Sequence, residues 1–197
     1  MDNNFNSTVI NESHEGKDKK PDAFSRFFEW VEMFALYFAI GLILILLFFK
    51  HSPVVGSSMY PTLNEGDVLI VSTFNYTPKP GDIIVCQSES YGLDTPLVKR
   101  VIAAEGQTVT IDYESWTVTV DGVKLDEDYV NKTLDPMNPS NFLDTTFTVP
   151  ENHIFVMGDN RNASTDSRDA RIGFIDERYV LGKVSVRLFP LSEFKLF

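Results

Sequence analysis

Residues 66–85 read GDVLIVSTFNYTPKPGDIIV. The short apolar runs Val68-Leu69-Ile70-Val71 and Ile83-Ile84-Val85 are bounded by Gly66-Asp67 and Pro80-Gly81-Asp82. Runs this brief, rich in β-branched residues and framed by turn-forming pairs, read as strands. The pattern continues toward the C-terminus. Leu97 to Ala103 has strand character, and Thr108 to Val120 alternates β-branched with polar residues before a hairpin signal at Asp121-Gly122. Ile154-Phe155-Val156-Met157 and Val180 to Leu188 supply later strands. Asn131 to Thr146, with Pro136 and Pro139 and little periodicity, reads as a long surface loop. Residues 51–197 are therefore expected to form a mainly β domain.

The N-terminal side is different. Residues 1–23 are polar, without hydrophobic period, and read as a disordered tail. Residues 24–50 read as one helix. Within it, Met33 to Phe49 is an uncharged run of 17 residues, which Trp30 and Val31 can extend. A bilayer crossing takes ~17–25 such residues. A buried core helix fits poorly, because nearly every face is apolar and several large aromatics are included. A cleaved leader would need a short basic start and a small-x-small exit. Here 32 residues precede the run, Phe48-Phe49-Lys50-His51 follows, and no Ala-x-Ala occurs in the chain. The segment is expected to stay as a single-pass anchor in the lipid bilayer. Lys17, Lys19, Lys20 and Arg26 lie on its N-terminal side and only Lys50 close on the other, so the tail is expected in the cytoplasm and residues 51–197 outside it.

The formal net charge of −11 argues against a nucleic-acid partner, since phosphate binding wants a basic face. The single cysteine, Cys86, allows neither an internal disulfide nor a cysteine zinc site, and reads as a small buried hydrophobe.

Chemistry is concentrated in a few segments. In a strand from Leu97 to Ala103, Lys99 shares a face with Leu97, Val101 and Ala103, while Arg100 points the other way. Burying an unpaired ammonium is costly, and the lysine escapes that cost by losing its proton, which makes it a usable base. The alternative is an edge-strand lysine reaching water. Ser58 lies in a turn-like segment between Gly56 and Pro61 and needs such a base to become a nucleophile. His14 and His51 are poorly placed to serve, and His153 reads as a structural residue opening a strand, although a triad through it stays open. The run Gly158-Asp159-Asn160-Arg161 to Ser164-Thr165-Asp166-Ser167-Arg168 carries mixed charge. It does not fit a calcium loop, because Arg161 and Ala163 occupy ligand positions. No metal or cofactor is expected.

Gly56-Ser57-Ser58-Met59-Tyr60-Pro61-Thr62-Leu63, Gly81-Asp82-Ile83, Lys99-Arg100-Val101-Ile102, Glu105-Gly106-Gln107 and the Gly158 to Arg168 run stand in this order behind an anchor. Together they resemble the motif blocks of bacterial type I signal peptidases, in the small Gram-positive-like form. The resemblance implies a mostly antiparallel β catalytic domain with a small β insertion at about 107–153. It maps the nucleophile onto Ser58, with Met59 and Pro61 in its motif, and the general base onto Lys99, followed by Arg100. Ser164 is implied to orient the lysine, and Asp166 and Arg168 to support the site. Gly158, Asp159, Asn160 and Arg161 are implied as motif positions. Many members carry a serine where this chain has Gly56, so the oxyanion hole would rest chiefly on the Ser58 N–H. A serine restored at that position could add a donor only if it adopts the backbone torsion found there. The usual Gly-Leu-Pro-Gly after Ile102 is replaced by Ala103-Ala104-Glu105-Gly106, a change in a turn.

The activity implied is removal of signal peptides from secretory precursors after a small-x-small motif, without an obligate protein partner. A self-cleaving Ser/Lys repressor is a poor fit, lacking its DNA-binding N-terminus. A non-catalytic anchored β domain, or an inactive relative, is the rival from another class.

Overall fold

The structure, a computed structural model, describes residues 23–90, 92–133, 136–137 and 144–197, with 93–95 described by backbone only. The expected tail, apart from Ala23, and much of the expected loop Asn131 to Thr146 lie outside the described residues.

Helix α1 spans Ala23–Phe48, with none of its residues buried. At about 1.5 Å per residue its 26 residues run about 39 Å, long and apolar enough to cross a membrane. It ends earlier than its apolar run suggests. Phe49 and Lys50, expected in the helix, open strand β1 (Phe49–Pro53), which pairs with β2 (Val68–Ser72) from Phe49 opposite Ser72 to Pro53 opposite Val68. The end is fixed from outside the helix. Thr73 donates its N–H and its Oγ1 hydroxyl to the Phe48 carbonyl, at 3.1 and 3.3 Å, satisfying a terminal acceptor.

The main sheet adds β3 (Ile83–Ser88), β4 (Gly92–Ala103), β9 (His153–Met157), β10 (Ile175–Asp176), β11 (Val180–Phe189) and β12 (Lys195–Leu196). Its order is β1-β2-β11-β3-β4-β9-β10, with β12 on β11. A second sheet, order β7-β6-β5-β8, consists of β5 (Thr108–Asp112), β6 (Thr117–Val120), β7 (Val123–Lys124) and β8 (Thr146–Thr148). Every ladder between described residues is antiparallel. The fold is thus the mainly antiparallel β architecture, with one N-terminal apolar helix, that the motifs imply.

The alternating run Thr108 to Val120 is two strands. The Asp112 carboxylate accepts from the backbone N–H of Glu114 (3.0 Å) and Ser115 (3.2 Å), and Trp116 sits at φ +57°, closing a turn between β5 and β6. The next turn is the expected one. Asp121 and Gly122 at φ +53° and +79° have the two left-handed torsions of a tight hairpin.

Strand β4 serves three packing layers, which is what positions the site. Leu97 and Val101 pack with Ile84, Cys86 and Val156, while Val98 packs with Val54, Met59 and Leu63. Ile102 and Ala103 join a third cluster with Val109, Ile111 and Trp116 of the second sheet and Phe155 and Met157 of β9. The β4–β9 register slips between Val101 and Ala103, a bulge that turns Ala103 off the Lys99 face. The apolar stripe around Lys99 is therefore Leu97 and Val101, without Ala103.

Candidate active site

Val54 to Asp67 connects β1 to β2 and carries Ser58. Its ends are clamped, with Val54 N–H donating to the Asp67 carbonyl (2.8 Å) and Gly66 N–H to the Val54 carbonyl (3.0 Å). Met59 and Leu63 are driven into the core at 1% and 0% exposure, so the loop is packed on both sides of its bend. Pro61 stays at the surface. Asn160 completes the seating: its N–H donates to the Ser58 carbonyl (3.0 Å) and its Nδ2 to the Ser57 carbonyl (3.1 Å).

Lys99 faces this bend from β4, opposite Ile84 of β3. It is 3% exposed, and its Nζ lies 2.7 Å from Ser58 Oγ. Burial pushes its pKa below the ordinary lysine range, against the opposing pull of Asp166, Cys86 and Asp159. Cys86 exerts no such pull at neutral pH, because burial pushes its thiol up to about 12 and keeps it uncharged. The two aspartates are already committed to other cations. Arg100 grips Asp159 bidentately at 2.8 and 2.7 Å, and Arg168 grips Asp166 at 2.8 and 3.0 Å. An amine whose pKa burial lowers, in hydrogen-bond reach of a hydroxyl, is the arrangement a general base and nucleophile need. The pair opens onto a cleft of about 480 Å³ whose walls include Val54, Gly56, Pro96, Val98 and Ala163.

Behind the pair, Gly158 is the tightest point. A Cβ built on it would lie 2.3 Å from Ser164 Oγ and 2.4 Å from the Ser58 carbonyl oxygen. Its N–H donates to Asp166 Oδ2 at 2.9 Å. Burial alone would raise the Asp166 carboxyl, but the Arg168 charge, the Gly158 N–H and the nearby Ser164 hydroxyl hold it below the usual range. Ser164 is itself buried, and among the described residues its hydroxyl has no partner in hydrogen-bond geometry. It stands beside Gly158, within reach of a Cβ built there. Arg161 and Arg168 are 1% and 0% exposed. Within residues 158–168, Gly158, Asp159, Arg161, Ser164, Asp166, Ser167 and Arg168 are buried, while Ala163 is exposed.

His153 lies elsewhere, in β9, with Nδ1 2.7 Å from the Glu151 carbonyl oxygen. Two contributors carry no local signal in sequence: Glu127, which pairs with Arg161, and Tyr129, whose ring centroid lies 3.9 Å from the Arg100 guanidinium carbon.

Residues 27–189 match the sequence model of a family described as signal peptidase, peptidase S26. The chain belongs to that family. It is 38% identical over 168 residues to a probable signal peptidase I-1 of Synechocystis, covering 80% of this chain and 81% of that one. It is 33% identical over 183 residues to signal peptidase IB of Staphylococcus aureus, covering 85% and 92%. A crystal structure of a signal peptidase I from Enterococcus faecalis aligns at 32% identity and TM-score 0.45, over 55% of this chain and 97% of that one.

In this S26 member Gly56 sits on the cleft wall at φ +81° with open space around it. Room is available for a side chain, but the torsion is one that L-residues adopt at a cost of roughly 1–2 kcal/mol. Gly56→Ser is therefore expected to lower the thermal midpoint and to leave kcat unchanged or reduced. A rise in kcat in a folded variant would show that the torsion relaxes and the added hydroxyl reaches the reacting carbonyl.

Proposed function

We propose that this chain is a membrane-anchored signal peptidase I in which Ser58 is the nucleophile and Lys99 the general base. The observation that carries the reading is the 2.7 Å approach of a 3% exposed lysine to a serine hydroxyl at the floor of a cleft. Neutral Lys99 takes the Ser58 proton as Oγ attacks the scissile carbonyl. The Ser58 N–H faces the developing oxyanion. Protonated Lys99 gives its proton to the leaving amine, and the acyl-enzyme is released by water that Lys99 deprotonates in turn. No step asks for a metal or cofactor.

The substrates are secretory precursors, cut after a small-x-small motif. Two features support this. The cleft walls at Val54, Val98 and Ala163 are apolar and short of charge, suited to small side chains. Among the described residues β4 pairs with β9 only from Arg100 onward, so its edge at Pro96–Val98 is open to an extended chain. With the basic residues before the helix, the N-terminus is cytoplasmic and the peptidase domain extracytoplasmic.

The test uses the full chain in detergent with a precursor carrying an Ala-x-Ala site, followed by sequencing of the new N-terminus. Cleavage after the second alanine is the expected result, and an intact precursor overturns it. Protease added to spheroplasts should digest residues beyond His51 and spare the tail. Protection of that domain would reverse the topology.

A further inference from the structure

The pair Glu127–Arg161 has no part in the chemistry just described, yet both side chains are buried, at 3% and 1%. Glu127 lies on the segment 125–131 that follows β7. Its Oε2 accepts from Arg161 Nη1 at 3.2 Å and its Oε1 from Arg161 Nη2. Its neighbours on this strap reach the same place. The Tyr129 hydroxyl donates to Glu127 Oε1 (3.2 Å) while its ring lies against Arg100, and Asn131 N–H donates to the Asp159 carbonyl (3.2 Å). Arg161 passes the constraint on, donating from Nε to the Gly158 carbonyl at 3.1 Å. Its own carbonyl accepts from Arg168 Nη2 at 2.7 Å. Gly158 is the residue packed against the Ser58 carbonyl, and Ala163, on the turn Arg161–Ala163, lines the cleft.

A strap that only held the second sheet in place would be served by apolar contacts, since buried ion pairs add little net stability. An ion pair fixes direction as well as distance, and here it grips the arginine whose Nε donates to the Gly158 carbonyl. We propose that Glu127 is a positioning residue of the Ser58/Lys99 site, holding Gly158 through Arg161 and so setting where Ser58 is seated. The proposal rests on the Ser58/Lys99 reading and adds a contribution from the insertion.

The experiment measures kcat and KM per folded molecule for the detergent-solubilised full chain, with the folded fraction taken from near-UV circular dichroism. Glu127→Gln keeps the shape and removes the charge. Misplacement by about an ångström costs up to about 10²-fold, so kcat is expected to fall by about tenfold to a hundredfold, with KM within about threefold. Glu127→Asp keeps the charge on a shorter arm, should fall between Glu127→Gln and the parent, and decides the matter if Glu127→Gln does not fold. A folded variant at the parent's kcat, or a loss confined to KM, overturns the proposal. Lys99→Met runs alongside: if it still turns over, the Ser58/Lys99 reading fails instead.

Discussion

Lys99→Met is expected to abolish peptide-bond cleavage and, at the same time, to raise the thermal midpoint. Loss of activity follows from the 2.7 Å Lys99–Ser58 contact, since methionine cannot take the Ser58 proton. Removing one member of such a unit costs about as much as removing both, so the drop should reach about 10⁴-fold or more, and Ser58→Ala added to it should cost little further. Lys99→Arg should fail as well, because a guanidinium holds its proton. The gain in stability has a separate cause. Burial holds the Lys99 pKa below its value in the unfolded chain. Between those two values the unfolded state binds more protons, so stability rises with pH through that window and is lowest beneath it. Each tenfold weakening of proton binding corresponds to about 1.4 kcal/mol of lost stability at the low-pH end. Methionine, of similar length, removes this penalty while filling the slot between Leu97 and Val101. Thermal melts of parent and variant should therefore differ most at the acid end and converge as the pH nears 10. In the parent, kcat/KM should rise with pH along a limb set by the same lysine, below the ordinary lysine range. Robust cleavage by a folded Lys99→Met protein would end the dyad, and a variant no more stable than the parent at any pH would mean the amine is charged and hydrated.

Gly158→Ala should be nearly as damaging although it adds one methyl group. The new carbon would meet Ser164 Oγ at 2.3 Å, the Ser58 carbonyl oxygen at 2.4 Å and Ser164 Cβ at 2.6 Å. A serine hydroxyl can rotate away; a backbone carbonyl held by Asn160 N–H cannot move without carrying Ser58 with it. Relief needs a displacement of more than half an ångström, and about 1 Å is enough to cost about 10²-fold in rate. Overpacking of this kind also destabilises by about 1–3 kcal/mol. Urea titration and kcat per folded molecule would measure both. Adding Ser164→Ala relieves the first contact and leaves the second, so it should restore little activity. Parent-like turnover by Gly158→Ala would show that the loop can yield without moving Ser58.

The strands that carry the candidate site were legible from their short apolar runs, whereas Ser58 and Lys99 stood out only through the resemblance of the ordered motif blocks, since Lys99 read alone also fits an edge-strand lysine reaching water. Ser58 stands between turn formers, Lys99 in an apolar strand, and the strands carrying them have the apolar, turn-bounded form of an antiparallel sheet. What was not legible depends on partners far along the chain. Phe49 and Lys50 look like the end of a membrane helix until Thr73 caps Phe48 and β2 offers them an edge. The turn at Tyr113 to Trp116 hides within a clean alternation, since only the Asp112 side chain marks it. Ala103 leaves the Lys99 face because β9 imposes a bulge. Glu127 is one acid among 28 acidic residues, and nothing near it in sequence announces Arg161.

The third packing cluster joins Val109, Ile111, Val118 and Val120 of the second sheet to Ile102, Phe155 and Met157 of the main one. Neither layer has an apolar interior of its own on that side. Excising residues 107–153 would leave Phe155 and Met157 facing solvent, and the trimmed remainder would tend to self-associate. The two layers are expected to melt as a single cooperative block, with no separate foldon for the insertion. Slow-exchanging amides should accordingly appear in β5 and β6 as well as in β4 and β9, so that the rigidity under Lys99 is shared with strands that never touch the reacting atoms.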